Sequence, residues 1–177
     1  MAHSLQPLFR YLDGLCGQAG LAELTAVLGS LRPGRDDLAD FVRFSDQGYA
    51  RNLVRAGRWY SVLVLCWKNG QLSPIHDHAG SNCCVRVLRG VLTETRFEFA
   101  PNGHVKAVSS RDYPQGCVLA SADLDLHQVS NLQAGDALLV TLHVYSPPLQ
   151  RMGTYTLTDR TRELEPMFLE FCDAAGI

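Results

Sequence analysis

No apolar run among the 177 residues approaches the roughly 20 consecutive positions that a membrane-spanning helix needs, so no membrane partner is expected. An excess of charge of one sign is also missing. Sixteen Lys plus Arg stand against 18 Asp plus Glu, for a formal charge of -2 and a pI near 6.3. That balance gives no electrostatic reason to expect nucleic acid or an anionic surface, and a small neutral or zwitterionic ligand suits it better. The opening "MAHSLQPLFRYLDGLCGQAG" has no basic stretch followed by an unbroken apolar core, because Arg10 and Asp13 interrupt it, and no secretion signal is expected. There is no compact cysteine framework either. Cys16, Cys66, Cys83, Cys84, Cys117 and Cys172 are scattered through the chain, which points to a reducing, cytoplasmic setting in which most of them are small buried hydrophobes. Internal repeats, low-complexity tracts and linkers are absent, so residues 1–177 are expected to form one domain, large enough for a core without disulfides.

What is present divides by periodicity. Leu8, Leu12, Leu15, Leu21, Leu24, Val27 and Leu28 recur at spacings of three and four, which predicts helix interrupted near Gly17 and Gly20. After "LRPGRDD", Asp36 or Asp37 is expected to cap a short helix through Leu38, Phe41 and Val42. Residues 1–45 are therefore a helical lead-in. From Trp59 the pattern becomes β-rich: "WYSVLVLCW", "CCVRVLRGVLTETRFEF", "HVKAVSS", "GCVLASA", "LHQVSNL", "ALLVTLHVYS" and "GTYTLTD", with Gly, Pro, Asn and Asp between them. Short strands at this spacing predict a mainly β sandwich or barrel over 46–160, with a hairpin turn at Asn102-Gly103. The C-terminal extension, 161–177, is expected to end in a short helix.

The chemistry concentrates in "GQLSPIHDHAGSNCC". Alternate residues of a strand share a face, so His76 and His78 can reach one ion while Asp77 points the other way. Of the remaining histidines, His3 lies near the terminus and His104 follows the Asn-Gly turn, whereas His127 and His143 fall within strand-like runs and can face a barrel interior. Asp125 is a rival carboxylate ligand. Three imidazoles suit iron, zinc, copper or nickel, and two histidines with a carboxylate suit a non-haem ferrous site. Thr141, His143 and Tyr145 alternate along one run, so hydroxyl, imidazole and phenol can form a hydrogen-bonded chain.

Gly70, His76, His78, Cys83 and Gly90 resemble the first cupin motif, with cysteine where many cupins carry a ligating glutamate. Gly116, His127 and Asn131 resemble the second motif, with Ala122 and Leu124 in place of its usual Pro and inner Gly; this match selects His127 as third ligand. "YARNLV", "IHDHAGSNC", "LHQVSN" and "TLHVYSPP" together resemble one cupin family, the cysteine dioxygenases, from about residue 45 to 150. The resemblance implies a cupin fold, a small β-barrel or jelly roll behind the helical lead-in. It also implies Fe(II) on His76, His78 and His127, with Arg51 on the substrate carboxylate and Tyr49 lining the same pocket. It makes Tyr145, His143 and Cys83 the catalytic group, with Thr141 behind them where relatives have serine, and joins Cys83 to Tyr145 by a thioether bond. Met152 stands where some relatives have cysteine, at the substrate pocket, and a cis bond before Pro147 is an expectation of the same run.

The activity implied is addition of both atoms of O2 to the thiol of L-cysteine, giving cysteine sulfinic acid, by a cytoplasmic monomer. A thiol dioxygenase preferring 3-mercaptopropionate is the nearest alternative, and Arg51 argues against it. A metal-binding cupin sensor or binding module is the alternative outside enzymes. Cys84, next to the motif cysteine, is assigned to packing on the opposite face.

Overall fold

The computed structural model describes residues 3–34 and 37–167. Two helices come first, α1 (Gln6–Asp13) and α2 (Leu21–Ser30), divided at the predicted glycines, with 3-10 turns at His3–Leu5 and Ala39–Phe41. The second of these turns replaces the short helix expected after Asp36 or Asp37. Asp36 lies outside the described residues, and Asp37 Oδ2 accepts the Gly34 amide at 2.7 Å instead of capping the turn. Among the described residues no helix is long and apolar enough to cross a membrane.

Among the described residues eleven strands follow: β1 (Ala50–Gly57), β2 (Tyr60–Trp67), β3 (Ile75–His76), β4 (Asn82–Arg89), β5 (Val91–Phe99), β6 (Val105–Pro114), β7 (Val118–Ser121), β8 (Leu126–Ser130), β9 (Leu139–Ser146), β10 (Arg151–Tyr155) and β11 (Glu163–Pro166). They form two antiparallel sheets, ordered β1-β2-β9-β4-β7 and β11-β10-β3-β8-β5-β6. Four strands exceed the seven runs read from the sequence: "CCVRVLRGVLTETRFEF" divides at Gly90 into β4 and β5, and β1, β3 and β11 were not among the runs. Polar residues masked β1, β3 is only two residues long, and β11 occupies part of the C-terminal extension. The end of that extension, where a helix was expected, lies outside the described residues.

Strand parity explains why β2 and β9 are buried along their whole length. Val62, Val64 and Cys66 of β2, with Val140, Leu142 and Val144 of β9 and Cys84 of β4, pack outward against Leu8, Leu12, Leu24 and Leu28 of the helices. The alternate set, Leu63, Leu65 and Trp67 with Cys83, Val85 and Tyr145, faces the second sheet. The helical lead-in thus covers one face of the first sheet, each buried leucine contributing about 2 kcal/mol, and frees the other face for the space between the sheets. β6, the outer strand of the second sheet, is exposed along most of its length and carries Lys106, Arg111 and Asp112, which discourages edge-to-edge pairing.

Turn chemistry sets the register where it matters. The Asn102-Gly103 turn joins β5 to β6, with the Gly103 amide donating to Ala100 O at 2.8 Å. Gly90, the last glycine of the first motif, turns the chain between β4 and β5 at φ +82°, and a Cβ there would lie 2.6 Å from Leu138 O. Asn131 of the second motif is fully buried and donates to Trp67 O (3.1 Å) and Ala137 O (2.8 Å), tying the end of β8 to β2.

Candidate metal centre and active site

His76 on β3 pairs directly with His127 on β8, and His78 follows two residues later. The strand ends at His76, so the pair does not sit on a continuous strand. Ala79 adopts φ +43°, and its amide donates to Asp77 Oδ1 at 3.0 Å, which turns the chain and carries His78 to the same side as His76. One nitrogen from each of His76, His78 and His127 lies within 4.8 Å of the others. All three rings are at most 6% exposed.

The hydrogen bonds assign the inward nitrogens. His76 Nδ1 lies 3.0 Å from Pro74 O, which accepts only from an N–H and so leaves the Nε2 lone pair free. His127 Nδ1 donates to Glu94 Oε1 at 2.9 Å, and its Nε2 is buried without a partner. The Nδ1 of His78 is likewise buried and unpartnered. Orphaned buried acceptors are costly, and a cation between the three rings would satisfy them together. Protonation is not the remedy. Burial, with the neighbouring His127 and His78 rings, holds His76 well below its ordinary value, and burial with His127 lowers His78 to about 3. Neutral imidazole is the ligating form, so the residues present fit a metal ion.

Behind His127, Glu94 is 3% exposed and also receives Arg96 Nε and the Tyr113 hydroxyl, each at 3.3 Å. Burial raises its pKa, but the hydrogen bond from His127 and the charge and hydrogen bond of Arg96 outweigh this and hold the carboxyl below its usual range. Carboxylate on the far nitrogen of a ligating histidine fixes the tautomer and raises ligand basicity. Sequence reading missed Glu94, which lies 33 residues before His127 and is brought to it by the β5–β8 pairing. The rival ligand Asp125 accepts the Ala122 amide at 2.9 Å and is not part of the three-histidine group.

A narrow cleft opens from the histidines between the sheets, and Tyr49, Arg51, Cys83, His143, Tyr145 and Met152 line it. Arg51 comes from β1, with its carbon Cζ 5.9 Å from the centre of the Tyr145 ring. Its Nε and Nη2 are buried and have no hydrogen-bond partner. Tyr49 stacks on Trp67 with centroids 4.2 Å apart. Thr141 Oγ1 lies 2.9 Å from His143 Nε2, and Tyr145 Oη 3.2 Å from His143 Nδ1, so the alternating chain along β9 is formed. Trp67 Nε1, a group not singled out in the sequence, donates to Thr141 Oγ1 at 3.1 Å. Cys83 and Tyr145 are directly opposed on β4 and β9. Burial raises the pKa of both, keeping thiol and phenol protonated. Cys84 faces α2, its sulfur 3.3 Å from Thr25 Oγ1, and the Ser146-Pro147 bond is cis.

Residues 2–158 match the family model described as cysteine dioxygenase type I. The chain belongs to the cysteine dioxygenase type I family. This family is metal-dependent, and membership makes the protein an oxidoreductase of the dioxygenase kind, with a three-histidine group consistent with a metal site. Curated relatives named cysteine dioxygenase type 1 include one from Danio rerio, 32% identical over 142 residues covering 75% of this chain and 68% of the relative. Another, from Homo sapiens, is 29% identical over 180 residues covering 98% and 88%. Among solved structures, a Thermus thermophilus protein superposes at TM-score 0.54 with 19% identity, covering 64% of this chain and 96% of its own. A Klebsiella pneumoniae protein with a double-stranded β-helix domain does so at 0.53 with 18% identity, covering 71% and 98%. These two similarities concern the fold alone, which is the cupin or double-stranded β-helix fold.

Proposed function

We propose that the protein is an Fe(II)-dependent dioxygenase that adds both atoms of O2 to the thiol of L-cysteine, giving cysteine sulfinic acid, within one domain of residues 1–177. The observation that carries this reading is the Arg51 guanidinium, whose two buried, unpartnered nitrogens line the same cleft as three convergent imidazoles. A planar donor fork without a protein acceptor suits a carboxylate, and three neutral imidazoles with inward lone pairs suit a first-row divalent ion.

His76, His78 and His127 would hold the iron, which when bound supplies a redox centre where thiolate and O2 can react. Arg51 holds the substrate carboxylate and so fixes which end of the amino acid faces the histidines. The Tyr145 hydroxyl, held by His143, donates a hydrogen bond toward the reacting atoms, and Thr141 fixes the His143 ring from behind. Tyr49, stacked on Trp67, and Met152 bound the cleft and exclude water. The balance is one thiol and one O2 giving one sulfinic acid, with no external reductant.

Cys83 Sγ is proposed to bond to the ring carbon of Tyr145 beside the phenol oxygen, with loss of two hydrogens that O2 accepts. Their direct opposition on neighbouring strands supports this, and the link would hold the phenol against rotation. A free thiol as substrate accords with a reducing, cytoplasmic setting. Oxygen uptake by iron-loaded protein on cysteine, 3-mercaptopropionate and cysteamine tests the substrate, and preference for 3-mercaptopropionate would overturn the role of Arg51.

A further inference from the structure

Asp77 separates the two histidines of the first motif, and its side chain points away from the cleft. It is only 2% exposed, yet its carboxylate accepts five hydrogen bonds. Oδ1 receives the amides of Ala79 (3.0 Å) and Gly153 (3.1 Å) and Nη2 of Arg162 (3.0 Å). Oδ2 receives the Tyr155 hydroxyl (2.7 Å) and Nε of Arg162 (2.9 Å). The Asp77 amide in turn donates to Gly153 O at 3.0 Å. Three segments therefore converge on one residue: its own turn, β10, and the residue immediately before β11. Position 153 requires glycine, because a Cβ there would lie 2.5 Å from Asp77 Oδ2, 2.7 Å from Oδ1 and 2.5 Å from Arg162 Nε. Arg162 lies beyond the residues that match the family model.

We propose that Arg162 is a positioning residue for the metal centre, its bidentate bond to Asp77 clamping the turn that carries His76 and His78. The proposal rests on the reading of those histidines as metal ligands. A carboxylate this buried needs its countercharge. Without the guanidinium, Asp77 gains by moving toward water, and any such movement shifts the ligand on either side of it. Arg162 itself is nearly half exposed, 43% for the side chain, so it contributes little to core packing and its removal acts mainly through Asp77. Lysine supplies the charge without the fork and is a partial substitute. Groups hydrogen-bonded directly to a ligating side chain are worth about ten- to a hundredfold in metal affinity, and Arg162, which acts one bond further out through Asp77, belongs at the lower end of that range.

The test is an anaerobic Co(II) titration of the full-length metal-free protein, competed against a chelator, with the visible Co(II) spectrum recorded. Arg162→Ala is expected to bind Co(II) up to about tenfold more weakly with an altered spectrum. Arg162→Lys should fall between it and wild type, and Glu163→Ala, an exposed change on β11 that leaves Asp77 untouched, should match wild type. With Fe(II) at saturation instead of Co(II), oxygen uptake by Arg162→Ala should return toward wild type. Wild-type Co(II) affinity in Arg162→Ala, or equal weakening in Glu163→Ala, overturns the proposal. If Arg162→Ala loses its far-UV circular dichroism, Arg162→Lys decides, and an affinity unchanged from wild type overturns it. A wild-type protein that binds no Co(II) would instead overturn the metal reading of the three histidines, and this proposal with it.

Discussion

Replacing Arg51 with alanine removes the two buried donors, Nε and Nη2, that have no acceptor in the protein. Each charge-assisted hydrogen bond to a substrate carboxylate is worth about 1.5–3 kcal/mol, and two sharing one guanidinium do not add fully. A combined loss of about 3–4 kcal/mol corresponds to roughly a hundred- to a thousandfold in kcat/KM for cysteine. These two donors contribute no hydrogen bond to the ligand-free fold, so the variant is expected to stay folded, which its far-UV circular dichroism checks. The assay is oxygen uptake over a range of cysteine, with cysteamine, which lacks the carboxylate, run in parallel. The ratio of kcat/KM for cysteine over cysteamine should collapse toward one. Equal loss on both thiols, or a loss of less than tenfold on cysteine, would refute the assignment of Arg51 to the carboxylate.

Glu94→Gln keeps the size of the side chain but removes the charge behind His127, and metal affinity should fall about tenfold, measured by chelator competition; unchanged affinity would contradict the role given to that carboxylate. Intact mass should show a fraction of wild-type chains lighter by two hydrogens and none in Cys83→Ala, and a variant still showing that loss would exclude the Cys83–Tyr145 bond. Metal-free protein should lose stability as pH falls from 6.5 toward 5. Burial depresses the pKa of His76, His78 and His143 in the folded state, His78 to about 3, so the unfolded chain takes up protons first. Each such ring costs about 1.4 kcal/mol per pH unit in that window. A melting temperature flat between pH 6.5 and 5 would contradict the neutral histidines.

The parts of this site that were legible in the sequence share a motif or a strand. His76, His78 and Cys83 lie within eight residues, and the alternation of Thr141, His143 and Tyr145 places them on one face of β9 without knowledge of the tertiary structure. Glu94 was not legible, since a carboxylate in "LTETRF" resembles any solvated strand residue until β5 is known to pair with β8. Asp77 was rightly expected to point away from the histidines, but its partners Gly153, Tyr155 and Arg162 are 76 to 85 residues away. No local pattern announces them. β1 was missed as a strand because Arg51, Asn52 and Arg55 break its apolar pattern. Asn52 is buried there by donating to Arg43 O and Val64 O, and Arg51 is turned into the cleft.

The central claim is tested most directly by the product. Protein loaded anaerobically with Fe(II) is given L-cysteine and 18O2, and the product is weighed by mass spectrometry. Cysteine sulfinic acid carrying two 18O atoms, formed in proportion to bound iron, is the predicted result. Cystine alone, a product with a single label, or the same yield from zinc-loaded protein would contradict it.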